Sequence, residues 1–441
     1  MRPSNMRAGM SRRTFLTRTG AGMLVLSPAG ALVACGDDTG GSATSGSGGV
    51  DEVTFNNHGL AEGADAAVYE ELMKRYEDET GIDIVGNGIP FNEALNQYIL
   101  QARSGNLSGV VALPQGWIPS LAELDALVDL GSVIDTSLFT DSSLDTVVYN
   151  DMTLAFPTTS GAIGLVGNGL LLAEAGIDEL PTDIDSFESV LEAIKDLDSD
   201  LIPYAAMTGI EQGRDIAFWM RAFGGEVIDE NGTISLGDDG SVAALEWYKT
   251  LLDRGLIAPN MNRFDARPLF AQGRVGFYDD ADIAPSIIGQ ETTDDELLSN
   301  MVPVPRPGVP GVDVPPQSLK WGGGGYAVLK GNDDIEQASI DFASWLSTDL
   351  EAVISVFEGT GRAPVLKEAL QDERFTSDEW ASTWAEDIAA HARPLFEFYP
   401  ESARMEEILG EMVEAVMLEN KDAETALADA SSQLQEVIEQ S

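Results

Sequence analysis

The chain has 441 residues, 44% of them hydrophobic, with 74 acidic against 25 basic side chains and a formal net charge of −49. That balance excludes nucleic acid as a partner, since binding it depends on neutralising phosphates with Lys and Arg. The hydrophobic share excludes a disordered polyanion, so the acids belong on a solvated surface around a real core. Only seven residues are lysine, a balance that points to life in high salt, where charge repulsion is screened within a few Å, with a merely acidic secreted protein as the alternative.

The amino terminus reads as processing signals. Ser11-Arg12-Arg13-Thr14-Phe15-Leu16 resembles the twin-arginine export motif, whose paired arginines are recognised by a receptor. The stretch from Gly20 to Ala34 is apolar but fifteen residues long, short of the roughly 20 needed to span a bilayer as a helix. Leu32-Val33-Ala34-Cys35-Gly36 follows and resembles a lipobox, making Cys35 the expected site of lipidation and residues 1–34 a removable leader. Cys35 is the sole cysteine, so no internal disulfide can form. The first 34 residues hold five arginines and no acid, so cleavage would leave 20 basic residues against the same 74 acidic ones. From residue 35 to 49 the composition is mainly Gly, Ser, Thr, Ala and Asp, that of a flexible tether.

Roughly 390 residues remain, more than one core usually organises, so two domains are expected. Val53-Thr54-Phe55 reads as a strand; Val68, Leu72 and Tyr76 then recur at helical spacing up to Gly81, a left-handed stop. Ile82-Asp83-Ile84 reads as a second strand, Asn92 as the cap of a helix carrying Leu95, Tyr98 and Ile99, and Val110 to Leu113 as a third, buried strand. This βαβαβ order implies a parallel sheet covered by helices. Ligands of such sheets lie outside the carboxyl ends of the strands, which directs attention to Asn57-His58-Gly59 and Pro114-Gln115-Gly116-Trp117. Further on, Phe187, Val190, Leu191 and Ile194 share one helical face, and Leu245, Tyr248 and Leu252 another. Met405, Ile408, Leu409, Met412, Val413 and Val416 form a stripe read as core, not as a cofactor site.

A series of landmarks then appears in order: Phe156-Pro157-Thr158, Glu174-Ala175-Gly176-Ile177, Phe223-Gly224-Gly225, Phe270-Ala271-Gln272-Gly273-Arg274-Val275-Gly276-Phe277, Val302-Pro303-Val304-Pro305, Trp321-Gly322-Gly323-Gly324-Gly325-Tyr326 and Phe342-Ala343-Ser344-Trp345-Leu346. Their order resembles extracellular solute-binding protein family 1, the sugar-binding lipoproteins of ABC importers to which maltose-binding protein belongs. The likeness extends over residues 50–440, with departures at Gly109 and Val166-Gly167.

The resemblance implies an α/β, two-lobed, periplasmic-binding-protein-like fold of type II, closing on a ligand by a hinge. Residues 50–156 and 326–372 would form one lobe, 158–320 and 378–441 the other, with crossings near Pro157, Trp321–Gly325 and 373–377. The implied function is capture of a sugar outside the cell and delivery to the permease of an ABC transporter, by a monomer anchored to the outer face of the membrane through Cys35, without a cofactor. On the first lobe Asn57, His58, Gln115 and Trp117 are the expected ligand residues. Gln212, Arg214, Tyr278, Asp279 and Asp280 are expected on the second, with Trp321, Gly322 and Gly323 at the hinge and Arg362 at the cleft mouth. Trp219, Trp247, Trp345, Trp380 and Trp384 fall in helical patterns and read as core. His58 has only His391 as a histidine companion, far away in sequence, which argues against a metal site. The same fold could instead take a polyol, a glycerol phosphate derivative or another small polar solute, for which Arg214 and Arg362 would be the discriminating cations. A secreted glycosidase needs only two carboxylates, but the chain has no His-Glu-x-x-His, Gly-x-Ser-x-Gly or Gly-rich phosphate motif.

Overall fold

The computed structural model describes residues 50–440 apart from 62, 230, 231, 398 and 400. The leader, Cys35 and the tether therefore lie outside the described residues. The chain begins with β1 (Glu52–Asn56), α1 (Gly63–Thr80), β2 (Asp83–Asn87), α2 (Phe91–Ser104) and β3 (Val110–Pro114). Helix α1 exists because Tyr69, Leu72 and Tyr76 bury one face against the sheet, and it stops where Gly81 turns left-handed at φ +79°. Helix α2 starts two residues earlier than the sequence suggests. Pro90 is its N-cap, without a side-chain cap bond, and Asn92 already lies inside the helix. Proline's fixed φ sets the entry that a polar cap would otherwise provide.

Strands β1, β2 and β3 are parallel, with β1 in the middle. The chain then adds β4 (Phe156–Pro157) and, much later, β10 (Gly324–Val328), which inserts antiparallel between β3 and β4 and completes the order β2-β1-β3-β10-β4. Val110 to Leu113 are buried on both faces, as an inner strand requires. Two further helices, α7 (Asp333–Thr348) and α8 (Leu350–Thr360), pack back on this sheet through Phe342, Ala343, Leu346, Val353 and Ile354.

The second sheet is built from β5 (Gly161–Asn168), β6 (Ile202–Ala205), β7 (Val275–Ala281), β8 (Met301–Val304), β9 (Ser318–Trp321) and β11 (Ala392–Arg393). Its order is β11-β9-β5-β7-β6, with β8 also paired to β5. Every residue of β5 and β7 is buried, so these are the central strands of a sheet covered on both sides. Helices α3 (Ile184–Leu197), α4 (Ile216–Ala222), α5 (Asp239–Asp253) and α10 (Ser402–Met417) supply one side of that cover. The methionine-bearing stripe of α10, from Met405 to Met417, is buried in this core. Trp219 and Trp384 are fully enclosed; Trp247 is nearly so, and Trp345 and Trp380 are half-buried.

The chain leaves the first sheet at Pro157 and enters the second at Gly161. It returns between Trp321 at the end of β9 and Gly324 at the start of β10. A third passage follows α8. Val365 and Leu366 still pack in the first core, whereas Trp384 and Ile388, from α9 (Glu379–Asp387) and its end, pack in the second. At Gly324 no other residue fits: φ is +94°, and a Cβ would lie 2.1 Å from the Leu113 carbonyl oxygen.

Candidate functional site

Strand directions fix where a solute can meet both lobes. In the first sheet Gly324 pairs with Pro114, so the carboxyl end of β3 lies at the crossing. In the second, Trp321 pairs with Gly161 and Ile163 with Ala281, so the carboxyl end of β7, and of its parallel neighbour β6, lies at the crossing too. The carboxyl ends of β1, β2, β3, β6 and β7 thus meet around the hinge.

On the first lobe this edge carries polar groups that are buried and incompletely partnered. Asn57 is 2% exposed; its Oδ1 accepts the Gly59 N–H at 2.9 Å, and its Nδ2 has no partner. Gln115 is 5% exposed, and neither amide atom of its side chain has a partner, although its backbone N–H donates to the Gly323 carbonyl at 3.3 Å. Nδ1 of His58 is also unpartnered. Burial, with help from nearby Arg362, holds the His58 imidazole down to about 4, so it is neutral near pH 7. Buried amides and imidazoles are normally satisfied, because an unmade bond costs about 1–3 kcal/mol. Several together at one strand edge mark groups waiting for a partner.

The same edge presents aromatic surface. The Trp117 ring lies 5.7 Å from His58 and 4.8 Å from Phe91, the latter tilted by 35°. Phe91 is 50% exposed although it opens a helix, and it was not singled out from the sequence. An exposed aromatic directly after the Ile89-Pro90 turn was the available signal.

The second lobe differs. Tyr278, Asp279 and Asp280 lie inside it and not on a cleft face, each 0% exposed. Tyr278 packs on Phe270 at 4.7 Å. Asp279 pairs with Arg306 at 2.7 Å and accepts the Tyr204 hydroxyl, and its carboxyl is pushed upward by burial against the opposing pull of Arg306. Arg306 itself lies over Phe218, 3.4 Å from the ring centroid. Asp280 takes both arms of Arg267 at 2.8 Å. These acids are buried because arginines remote in sequence meet them, which strand periodicity cannot show. Gln212 accepts the Arg263 N–H at 2.6 Å. Arg214 is held by Glu406 and lies 4.0 Å from Glu397, so its charge is committed within the lobe. Phe264, 62% exposed at the start of helix α6 (Arg263–Ala271), was likewise missed.

At the crossings, Trp321 packs against the second core, Gly322 is exposed and Gly323 accepts from Gln115. Arg362 donates to Asp65 at 2.6 Å within the first lobe. Among the described residues no cluster of His, Cys, Asp and Glu could hold a metal ion, and no helix is long and apolar enough to cross a membrane.

Two α/β lobes, joined by repeated crossings, the first of them offering unpartnered polar groups at its strand ends, define a hinged solute receptor. The model of the bacterial extracellular solute-binding proteins matches residues 71–385, and the chain belongs to that family. Three Brucella proteins, from B. abortus and B. suis, whose names go no further than binding, are 24% identical over 217 residues. The matched region covers 47% of this chain and about half of theirs, 53%. Among solved structures, the GacH receptor of Streptomyces glaucescens, determined unliganded and with acarbose, superposes with a TM-score of 0.77 at 18% identity over 88% of this chain and 99% of its own. The cyclic α-maltosyl-1,6-maltose binding protein of Arthrobacter globiformis gives 0.76 at 19%, over 89% and 100%. Maltose-bound MalE3 of T. maritima gives 0.73 at 17%, over 87% and 99%. Each likeness covers both lobes, so the two-lobed fold holds for the whole described region.

Proposed function

We propose that the protein captures a neutral sugar or oligosaccharide between its lobes and hands it to the permease of an ABC transporter. The observation that carries this reading is the first-lobe edge, where Asn57, His58 and Gln115 leave buried donors and acceptors free beside the Trp117–Phe91 surface. A sugar offers both complements, hydroxyls for planar amides and apolar C–H faces for aromatic rings. The cations Arg214 and Arg362 are already paired with carboxylates, which favours a neutral ligand over a phosphate or carboxylate. The maltose of MalE3 and the cyclic maltosyl-maltose of the Arthrobacter protein agree with this class. Trp321, Gly322 and Gly323 are assigned to the hinge side of the same site. Tat export, lipid attachment at Cys35, a monomeric receptor and adaptation to salt complete the proposal, on the strength of the leader and the charge composition.

The test is a thermal-shift screen against maltose, maltotriose, tagatose, glycerol and glycerol phosphate, followed by calorimetric titration. A ligand at 100 times its Kd adds about 2.7 kcal/mol of stability. Stabilisation by a neutral saccharide is expected; stabilisation by glycerol phosphate alone would overturn the neutral-sugar reading.

A further inference from the structure

Among the described residues two aromatic side chains are exposed, Phe91 at 50% and Phe264 at 62%. One stands in each lobe, and both lie in the first turn of a helix: Phe91 opens α2, and Phe264 is the second residue of α6. A lone exposed ring is ordinary, but a matched pair on the two edges that meet at the hinge is not. Phe91 follows the carboxyl end of β2 and lies beside Trp117. The head of α6 is stitched to the carboxyl ends of β6 and β7. Thr208 and Gly209, just past β6, donate their N–H groups to the Met261 carbonyl at 3.0 and 2.9 Å, and Thr208 Oγ1 accepts the Met261 N–H at 2.9 Å. Arg263, the first helical residue, donates from Nε to the Asp279 carbonyl on β7 at 2.9 Å and from its backbone N–H to Gln212. Phe264 is thereby set at the strand-end edge of the second lobe.

The ring is also oriented. The Arg267 guanidinium, three residues on, lies over one of its faces at 5.5 Å from the centroid, and is itself fixed by two 2.8 Å bonds to the buried Asp280. A cation held over one face steadies the ring and leaves the other face for contact. Since Asp280 already neutralises Arg267, the surface on offer is flat and apolar, the complement of a sugar's C–H face and a poor one for an anion. The polar residues of this edge are engaged within the lobe: Asp279 by Arg306, Asp280 by Arg267, and the Gln212 oxygen by Arg263. A ligand that closes the lobes must nevertheless gain contact with both. We propose that Phe264 is the second lobe's stacking platform, on which the apolar face of a saccharide ring lies once the lobes close, opposite the amides and rings of the first lobe.

The proposal rests on the reading that the protein captures a saccharide, and the test separates the two. Maltose, maltotriose and tagatose would be titrated calorimetrically into the whole chain and into Phe264→Ala, Phe264→Leu and Phe264→Trp, with dissociation followed by stopped-flow fluorescence and ligand-free melting curves recorded alongside. Phe264→Ala should weaken binding by about fivefold, the worth of one stacked ring. The loss should fall in the dissociation rate, because the contact is made after the first encounter. Phe264→Leu, apolar but not flat, should lose about as much, and Phe264→Trp should keep the wild-type affinity. Melting temperatures should not move, since the ring is exposed. Wild-type binding of none of the three saccharides would overturn the sugar reading and the platform with it. Wild-type binding matched by Phe264→Ala, or retained by Phe264→Leu, would overturn the platform alone. So would a lowered melting temperature at unchanged affinity, which would make Phe264 a cover for the Arg267–Asp280 pair.

Discussion

The carboxyl ends of β3 and β7 occupy equivalent places, each an inner strand running toward the crossing, yet they spend their polar residues differently. At β3 the Gln115 amide is buried with no partner. At β7 Asp279 and Asp280 are buried with arginines on each. Position at a strand end therefore does not identify a ligand group. What separates the two ends is the state of these particular groups: the acids at β7 are met by arginines within the fold, whereas the Gln115 amide is left open beside the Trp117–Phe91 surface.

The largest expected effect tests the satisfied side. Arg306→Met leaves Asp279 without its cation and should cost about 3–5 kcal/mol, since breaking a buried pair strands the remaining charge. Urea denaturation measures it, and the folded fraction should keep its affinity for the sugar found in the screen. A comparable loss of affinity at unchanged stability would mean that Asp279 serves the ligand after all. On the open side the signs reverse. Gln115→Ala should weaken binding by about tenfold, the worth of one or two hydrogen bonds, with little change in the melting temperature. Phe91→Ala, removing a half-exposed ring, should weaken binding by about fivefold at a stacking energy near 1 kcal/mol. Calorimetry on the two variants sharpens the division between amide and aromatic contributions.

The smallest effect is a pH dependence at His58. Its folded value is lowered, so its contribution to stability is present above the ordinary histidine value of 6.5 and lost as pH falls through about 4. His58→Gln should remove that slope. Melting curves of the two proteins across this window should converge toward acid, and parallel curves would mean that His58 is not buried in solution.

Much of the framework was legible in the sequence. The first three strands follow from short apolar runs, and the end of α1 from Gly81, because local periodicity and left-handed glycine are local facts. The turns at Asn57-His58 and Gln115-Trp117 were legible for the same reason: they directly follow those strands. The second lobe was harder. Tyr278-Asp279-Asp280 looks like the polar end of a strand, and only the approach of Arg267 and Arg306 on other segments shows it to be interior. Phe91 was hidden by its place at the head of a helix, where an apolar residue ordinarily turns inward.

The insertion of β10 between β3 and β4 has a consequence for how the chain is made. Some 210 residues separate Pro114 from Gly324, and at about 5–20 residues per second that is roughly 10–40 s of synthesis. Throughout that interval the hydrogen-bonding edge of Val110–Leu113 has no neighbour on the side where β10 will lie. An apolar strand edge left open is a template for pairing with another chain. Pairings so distant in sequence also form slowly. The ribosome-bound intermediate is thus the stage at which this protein is most exposed to aggregation, and the repulsion among its many carboxylates is the protection it carries with it from the start.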